Sequence, residues 1–256
     1  MLAIEIVNIT AGYDRHPALH HMTGQFKKGS LTAVVGPNGS GKSTLLKTIA
    51  GFIKPMSGQL KFMDKPRIGY LPQIAEIDRS FPLSVYDVVM MGHWPQNGLF
   101  KGVSATQREQ AMKALTQVGM APFAARSIGA LSSGQFQRVL FARLMLQQAD
   151  IILLDEPFSA IDSRTAHDLL HLIEDWHRAG KTIIAVLHDM EQVKHHFPDT
   201  LVLAREVVAW GETKTALADK HLAQAQQLSE HWMASGHDHA AECHRDSMRD
   251  VKAGAA

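Results

Sequence analysis

Residues 36–44, Gly-Pro-Asn-Gly-Ser-Gly-Lys-Ser-Thr, have the composition and spacing of a loop that binds phosphate. They fit the pattern G-x-x-x-x-G-K-[S/T], in which glycines let backbone N–H groups approach phosphate oxygens closely. Lys42 is expected to reach the β- and γ-phosphates, and the Ser43 hydroxyl is expected to ligate Mg²⁺. The residues predicted to bind a nucleoside triphosphate are Gly36, Pro37, Asn38, Gly39, Ser40, Gly41, Lys42, Ser43 and Thr44.

The elements on either side of this loop are the ones that such a loop requires. Residues 31–35 form a short apolar run typical of a buried strand, and residues 43–50 have apolar positions at helical spacing. A helix that begins at the loop directs its positive end towards the phosphates. The alternative, a glycine-rich turn without a ligand, does not account for this strand–loop–helix order.

Two adjacent acids, Asp155 and Glu156, follow the aliphatic residues 151–154. The carboxyl ends of parallel strands form the edge at which ligands bind in α/β proteins, so these carboxylates are expected beside the phosphate loop. Asp155 is the expected Mg²⁺ ligand, and Glu156 is the candidate base that polarises the attacking water. The alternative is that both acids only solvate the end of a strand.

Composition indicates an ordinary globular chain. It has 256 residues, 45% of them hydrophobic and 20% charged, with a formal net charge of +1 and one cysteine. The charge argues against a strongly basic nucleic-acid groove, and the single Cys243 excludes an internal disulfide framework. The sequence shows neither an apolar run near the ~18 residues of a membrane span nor the pattern of a signal peptide. We expect a soluble, cytosolic chain that reaches a membrane through a partner.

The order of predicted elements indicates one α/β domain with an insertion. Strands and helices alternate, which implies a parallel sheet with helices on both faces. Ser84 and Ser104 each open a capping-box pattern, and residues 81–148 are predicted to form an inserted helical subdomain. The predicted domain spans 1–215, and residues 216–256 are predicted to be a His-rich tail.

Residues 131–135, Leu-Ser-Ser-Gly-Gln, precede the acid pair by about twenty positions at a predicted helix start. Together with the phosphate loop and the acid pair, these residues make the sequence resemble the nucleotide-binding subunit of ATP-binding cassette (ABC) transporters. The resemblance covers residues 2 to about 212. The resemblance implies a P-loop NTPase fold with a RecA-like parallel core, an N-terminal antiparallel β region and an inserted helical subdomain. It also implies ATP and Mg²⁺ as ligands.

The resemblance gives roles to further residues. Tyr13 matches the aromatic residue that stacks on adenine, Gln73 matches the glutamine that ligates Mg²⁺ and faces the membrane partner, and His188 matches the switch histidine. Asp162 belongs to the matched dimer-contacting loop. The residues implied to cap the γ-phosphate held by the partner subunit are Ser132, Ser133, Gly134 and Gln135. Tyr13 as a simple turn aromatic and His188 as a structural histidine are the alternatives.

Ser133 departs from the family pattern, which has glycine at this position. A β-carbon there would cost roughly 1 kcal/mol if the backbone φ is positive, and little otherwise. The strength of γ-phosphate capping depends on which case applies.

Residues 81–92 resemble the corresponding segment in subunits of manganese, zinc and iron importers, and of related chelated-iron and cobalamin importers. The resemblance implies that this apolar segment receives a helix of the membrane permease. Packing inside the helical subdomain explains the same residues equally well. The implied partners are permease subunits, a second copy of this chain and, indirectly, an extracytoplasmic metal-binding protein, with no nucleic acid. The implied location is the cytoplasmic face of the inner membrane, as a peripheral subunit.

The C-terminal tail is dense in metal-binding side chains. The candidate zinc ligands are His231, His237, His239, Cys243 and His244. The alternative is a disordered polar tail whose histidines are incidental. His167 and His171 also lie four positions apart on one predicted helix, opposite its apolar stripe, and we interpret them as part of a solvated face.

The predicted function is the ATPase subunit of a divalent-metal importer, with zinc ranked ahead of manganese and iron. An iron-chelate or cobalamin importer is the alternative within the family. A soluble ABC ATPase acting on nucleic acid or ribosomes would be expected to show tandem cassettes, a coiled-coil insertion or a basic groove. A metal-storage or sensor protein would account for the tail but would leave the ATPase motifs unexplained.

Overall fold

The fold is described by a computed structural model that covers residues 1–14, 16–94 and 102–234. Two compact units make up the chain, one from Met1–Asp64 together with His188 onwards, the other from Lys65–Leu187. None of the described helices is long and apolar enough to cross a membrane. The predicted boundaries 1–215, 81–148 and 216–256 stay predictions.

The secondary-structure elements follow the predicted order closely. The strands are β1 (Leu2–Tyr13), β2 (His16–Lys27), β3 (Leu31–Val35), β4 (Ser57–Phe62), β5 (Ile68–Leu71), β6 (Ile151–Asp155), β7 (Thr182–Val186), β8 (Asp199–Ala204) and β9 (Glu206–Glu212). The helices are α1 (Lys42–Ile49), α2 (Val85–Met90), α3 (Ala105–Gln117), α4 (Ser133–Leu146), α5 (Ser163–Arg178), α6 (Met190–His196), α7 (Thr213–Ala216) and α8 (Asp219–Ala234). Short 3₁₀ helices cover Ile74–Glu76, Met91–His93, Ala121–Phe123 and Ile128–Ala130.

In the first unit, β1 pairs antiparallel with β2 on one side and β4 on the other. Ile4 and Ile6 are buried, as alternation with polar residues predicts, and Ile9 is also buried, beyond an irregularity of the ladder between Ile6 and Ile9. The strand continues to Tyr13, where a turn was expected. Asn8 and His21 have positive φ at irregularities of this ladder, and the His21 ring lies 2.9 Å from the Asn8 amide oxygen.

The same unit contains the strand that leads into the phosphate loop. All five residues of β3 are buried, and β3 runs parallel to β8 with Val35 opposite Val202. β9 runs antiparallel to β8 and adds an antiparallel edge to the parallel pairing that alternation implied. The connection between β8 and β9 is only Arg205, and so short a connection can join only antiparallel strands.

In the second unit, β5, β6 and β7 pair in parallel, with Leu71 opposite Leu154 and Asp155 opposite Val186. β6 and β7 are buried at every position, which matches their continuous apolar sequences. Helix α5 connects β6 to β7 and buries Ala166, Leu169, Leu170 and Ile173.

The helices of residues 81–148 begin where the sequence predicts. Ser84 and Ser104 both form complete capping boxes, in which serine accepts from the third helical N–H and that residue's side chain accepts in return. Val85, Val88 and Val89 are buried on one face of α2. These residues therefore contribute to packing within the subdomain.

Helix α8 occupies sequence that was expected to be only a polar tail. Ala225 and Ser229 are buried, and the helix packs against β8 and β9. Leu222, Ala225, Ser229 and Trp232 recur at helical spacing between exposed Gln and Glu residues. The stripe is narrow and contains two small residues, which is why the sequence alone did not reveal it.

Candidate functional site

The phosphate loop joins β3 to α1 with a backbone that glycine permits. Gly41 is the N-cap of α1 with φ of 91°, and a Cβ there would lie 2.5 Å from the Ala18 carbonyl oxygen. A Cβ on Gly36 would lie 2.0 Å from the Leu203 carbonyl oxygen. Both distances are far shorter than a real Cβ contact, so neither glycine can be replaced without moving the loop.

Lys42 places its ammonium group inside the loop. Its Nζ donates to the carbonyl oxygens of Gly36 at 2.9 Å and Pro37 at 2.8 Å, and to Ser40 Oγ at 3.4 Å. The residue is buried, although its charged end lies in the curve of the backbone at a helix N-terminus. Ser43 is half-buried one position later. Cationic nitrogen, hydroxyl and helix N-terminus together suit a phosphate chain with its Mg²⁺.

Asp155 is the last residue of β6 and is fully buried. Tyr70 on β5 donates its hydroxyl to Asp155 Oδ2 at 3.3 Å, which orients the carboxylate. The sequence analysis missed Tyr70, since it is one strand residue among several and its strand pairs with β6 only after folding. The one available signal was its position three residues before Gln73.

Glu156 follows in a left-handed backbone conformation, with φ of 49°. The N–H and hydroxyl of Ser159 both donate to the Glu156 carbonyl oxygen, at 3.2 Å and 3.1 Å. Non-glycine residues occupy this region rarely, at a cost of about 1–2 kcal/mol, and such strain concentrates at functional sites. The side chain is half-buried and directly follows the buried Asp155.

Gln73 precedes the 3₁₀ helix Ile74–Glu76 and is half-buried. Six positions later, Arg79 donates to the carbonyl oxygens of Leu131 and Ile128, and its guanidinium carbon lies 4.9 Å from the centroid of the Phe136 ring. The segment after Gln73 is therefore joined to the start of α4, a connection that no pattern in the sequence indicated.

Ser132 is the N-cap of α4 and forms a capping box with Gln135. Its Oγ accepts from the Gln135 N–H at 3.2 Å, and the Gln135 side-chain oxygen accepts from the Ser132 N–H at 3.1 Å. Because Ser132 Oγ serves as acceptor here, its hydroxyl hydrogen is directed elsewhere and can donate to an anion. A Cβ on Gly134 would meet Asp162 Oδ2 and Thr165 Oγ1 at 3.6 Å, so the N-termini of α4 and α5 are neighbours.

Asp162 caps α5. Its carboxylate accepts from the Thr165 N–H at 2.9 Å and from the Thr165 hydroxyl at 2.8 Å, and the two bonds hold the pKa of Asp162 below its ordinary value. Arg138 of α4 donates to the same hydroxyl at 3.2 Å and to Asp168 at 2.8 Å. The dimer-contacting role of Asp162 stays a prediction, and its role as a helix cap is what the contacts show.

Ser133 is the first residue of α4 and has helical backbone, so the positive φ considered for it does not occur. We therefore expect Ser133→Gly to leave ATP-driven dimerisation no tighter. A glycine in the first turn should cost at most about 1 kcal/mol of stability through its weaker helix propensity. Thermal unfolding and sedimentation with ATP measure both effects, and a tighter dimer in Ser133→Gly would contradict the expectation.

The remaining predicted residues lie on the surface. Tyr13 is 50% exposed at the end of β1, and His188 is exposed two residues after β7 ends. Asp189 caps α6 by accepting from the N–H groups of Glu191 and Gln192. An exposed aromatic ring and an exposed imidazole suit contacts with a ligand, and their roles stay predictions.

The metal-binding predictions outside the phosphate site have different outcomes. His231 is exposed near the end of α8, whereas His237, His239, Cys243 and His244 lie outside the described residues. Within residues 1–14, 16–94 and 102–234, no group of three or more His, Cys, Asp or Glu side chains could hold a metal ion. His167 and His171 are exposed with their Nε2 atoms 3.0 Å apart, which confirms the solvated face.

Comparison with known proteins gives similarity along most of the chain. A family model described as ABC transporter matches residues 19–159. The manganese transport system ATP-binding protein MntB of Listeria monocytogenes is 40% identical over 225 residues, which cover 86% of this chain and 94% of that protein. The zinc transport system ATP-binding protein TroB of Treponema pallidum is 34% identical over 229 residues, covering 87% and 86%.

Solved structures agree with these similarities. A metal-chelate type ABC transporter in an inward-facing conformation is 30% identical with a TM-score of 0.79, covering 89% of this chain and 90% of that chain. A dimeric ATP-binding cassette bound to ADP and Pi is 26% identical with a TM-score of 0.72, covering 82% and 98%. The predicted fold class, with its P-loop, antiparallel N-terminal sheet and helical subdomain, is confirmed.

Proposed function

Because the chain belongs to the ABC transporter family, we propose that it is the ATP-hydrolysing subunit of an importer that moves a divalent metal ion through a membrane permease. Hydrolysis of ATP coupled to transport is the activity of this family. The metal is inferred from similarity to ATPases of manganese and zinc transport systems, along 94% and 86% of their lengths.

ATP binds first through the phosphate loop. Lys42 already has its ammonium group inside the curve of the loop, where it would neutralise the β- and γ-phosphates. Backbone N–H groups at the start of α1 would donate to the phosphate oxygens. Tyr13, exposed at the end of β1, offers its ring to the adenine.

Hydrolysis would depend on the residues that hold Mg²⁺, activate water and contact the γ-phosphate. Ser43, Gln73 and Asp155 would hold Mg²⁺, which supplies positive charge to the phosphate oxygens when bound. Glu156 would accept a proton from the attacking water. His188 would contact the γ-phosphate and report its presence.

A second copy of the chain would complete each site. The α4 N-terminus carries Ser132, whose hydroxyl hydrogen can donate while its oxygen caps the helix. Ser133 and Gly134 present the first N–H groups of the same helix, and Gln135, whose N–H donates to Ser132 Oγ, holds this end of the helix in shape. In a head-to-tail homodimer these donors would meet the γ-phosphate held by the partner.

The permease would dock on the segment 81–92 and its surroundings. The valines of α2 are buried and belong to the subdomain core, whereas Phe81 and Trp94 are 62% and 66% exposed. Large exposed apolar side chains four residues before and four residues after α2 suit a partner helix that lies across it. Docking on the permease would place the subunit at the cytoplasmic face of the membrane. The permease would receive the metal from an extracytoplasmic binding protein.

The decisive experiment is reconstitution of the subunit with its permease in lipid vesicles. A binding protein loaded with Mn²⁺ or Zn²⁺ should stimulate ATP hydrolysis, and the Lys42→Ala chain is the control that should not respond. Manganese is favoured by the more similar relative, and zinc by the ligands of the tail. Stimulation only by an iron chelate or cobalamin would replace this proposal with the related importer class. Stimulation by nucleic acid or ribosomes instead would refute transport.

The tail is part of the same proposal as a zinc-binding segment. Truncation after Ala216 would delete the packed helix α8. Truncation after Ala234 is the sharper variant, because it removes only residues 235–256. We expect ATP binding to be unchanged and zinc binding by the isolated subunit to be lost. Imidazole ligands must be deprotonated, so zinc binding by the full chain should weaken as pH falls towards about 5. Equal zinc stoichiometry in calorimetry of both chains would exclude the tail site.

A further inference from the structure

The end of α8 lies against β2 through an aromatic contact. The Trp232 ring stacks on the His20 ring with centroids 4.5 Å apart and an interplanar angle of 23°. His20 is buried, with 4% of its surface exposed, and Trp232 is half-buried. The last helix of the described chain therefore covers a buried side chain of the first unit.

Trp232 also contacts the connection between β8 and β9. The guanidinium carbon of Arg205 lies 5.3 Å from the centroid of the Trp232 ring, within the range of a cation–π interaction. Arg205 has φ of 63°, a left-handed conformation that a non-glycine residue keeps only where its surroundings hold it. One indole thus contacts both a strained turn and a buried strand residue.

The backbone of Arg205 connects this contact to the phosphate loop. Its N–H donates to the Ser40 carbonyl oxygen at 2.9 Å, and its own carbonyl oxygen accepts from the His20 N–H at 2.9 Å. Ser40 is buried, and its Oγ accepts from Lys42 Nζ at 3.4 Å. Contacts therefore run without a break from Trp232 through Arg205 and Ser40 to the loop lysine.

We propose that Trp232 is a positioning residue for ATP, because it holds the turn and strand that hold Ser40 in the phosphate loop. The inference rests on the proposed role of that loop in binding ATP. Trp232 acts through Arg205 and His20 and does not touch the nucleotide. A loop that is held in its binding shape loses less freedom when the ligand binds, so Trp232 raises ATP affinity and leaves turnover at saturation unchanged.

The test compares Trp232→Ala and Trp232→Phe in the full chain. ATP affinity is measured by calorimetry without Mg²⁺. The kcat is measured separately, at saturating ATP. Loss of one ring stack and one cation–π contact should raise the Kd of Trp232→Ala about 3- to 10-fold. Trp232→Phe keeps an aromatic face, so its Kd should stay within about twofold of the wild type. A purely structural role would lower the active fraction, and thus kcat, without changing Kd.

Matched controls come from the same chain. Trp176 stacks on Phe141 in the second unit, with centroids 5.7 Å apart, so Trp176→Ala should lower thermal stability without changing Kd. Truncation after Ala234 keeps Trp232 and should also leave Kd unchanged. Arg205→Gln removes the cation–π contact but keeps the backbone, and it should raise Kd in the same direction if Trp232→Ala does not fold.

Wild-type Kd in Trp232→Ala, or in Arg205→Gln where Trp232→Ala does not fold, would overturn the inference, as would an equal rise in Trp176→Ala. These outcomes differ from a failure of the proposed function. If the wild-type chain does not bind ATP, the proposed function is wrong. If the wild type binds and Trp232→Ala binds equally well, only the positioning role is wrong.

Discussion

Glu156→Gln should bind ATP as the wild type does and hydrolyse it at least about a hundredfold more slowly. Glutamine keeps the length and shape of the side chain but cannot accept a proton from water. Lys42 and its hydrogen bonds to the phosphate-loop carbonyls involve other residues, so binding is preserved. Phosphate release and ATP calorimetry on the same preparation measure the two effects.

An ATP-bound dimer should also accumulate in Glu156→Gln, because two sites that bind ATP without hydrolysing it keep the two chains together. Size-exclusion chromatography with ATP and Mg²⁺ detects it. Glu174→Gln is a suitable control, since Glu174 lies on α5 with its carboxylate against His171. Wild-type turnover in Glu156→Gln would show that another group is the base.

Mixing a Lys42→Ala chain with a Gly134→Asp chain should restore activity that neither has alone. The first lacks the phosphate-loop cation, and the second adds a carboxylate to the α4 N-terminus near Asp162, where negative charge repels phosphate. In a head-to-tail dimer, the mixed pair has one site with both defects and one site with neither. Random pairing makes half of the dimers mixed, so recovery should reach at most about a quarter of the wild-type rate.

The control for this experiment is Gly134→Ala. Its Cβ would meet its neighbours at 3.6 Å, an ordinary contact, so this chain should stay active alone. Full activity of Gly134→Asp by itself would refute the role of α4 at a phosphate site. Two inactive chains that fold and dimerise but do not complement each other would show that the loop and α4 do not act across an interface.

The features that the sequence predicted well are those written in adjacent residues. A capping box needs two side chains three positions apart, so Ser84 and Ser104 each marked a helix start that the structure has. The phosphate loop needs only a strand, its glycines and a helix in succession. Motif order along the chain then led to the family and its fold.

The features that the sequence did not predict join distant positions. Tyr70 meets Asp155 across 85 positions, and Arg79 meets Leu131 across 52. Each is one side chain of an ordinary type whose partner depends on strand order and helix packing. Helix α8 was missed because its buried stripe includes Ala225 and Ser229, which carry little hydrophobic signal.

Because the backbone at Glu156 is left-handed, the substitution that would most stabilise this position would also remove the carboxylate proposed as the base. Glycine there would relieve strain of about 1–2 kcal/mol while adding about 0.4–1 kcal/mol of chain entropy to the unfolded state, a net gain for the folded protein. It would also delete the carboxylate. If Glu156 is the base, as proposed, selection for thermal stability alone would favour a chain that binds ATP without hydrolysing it.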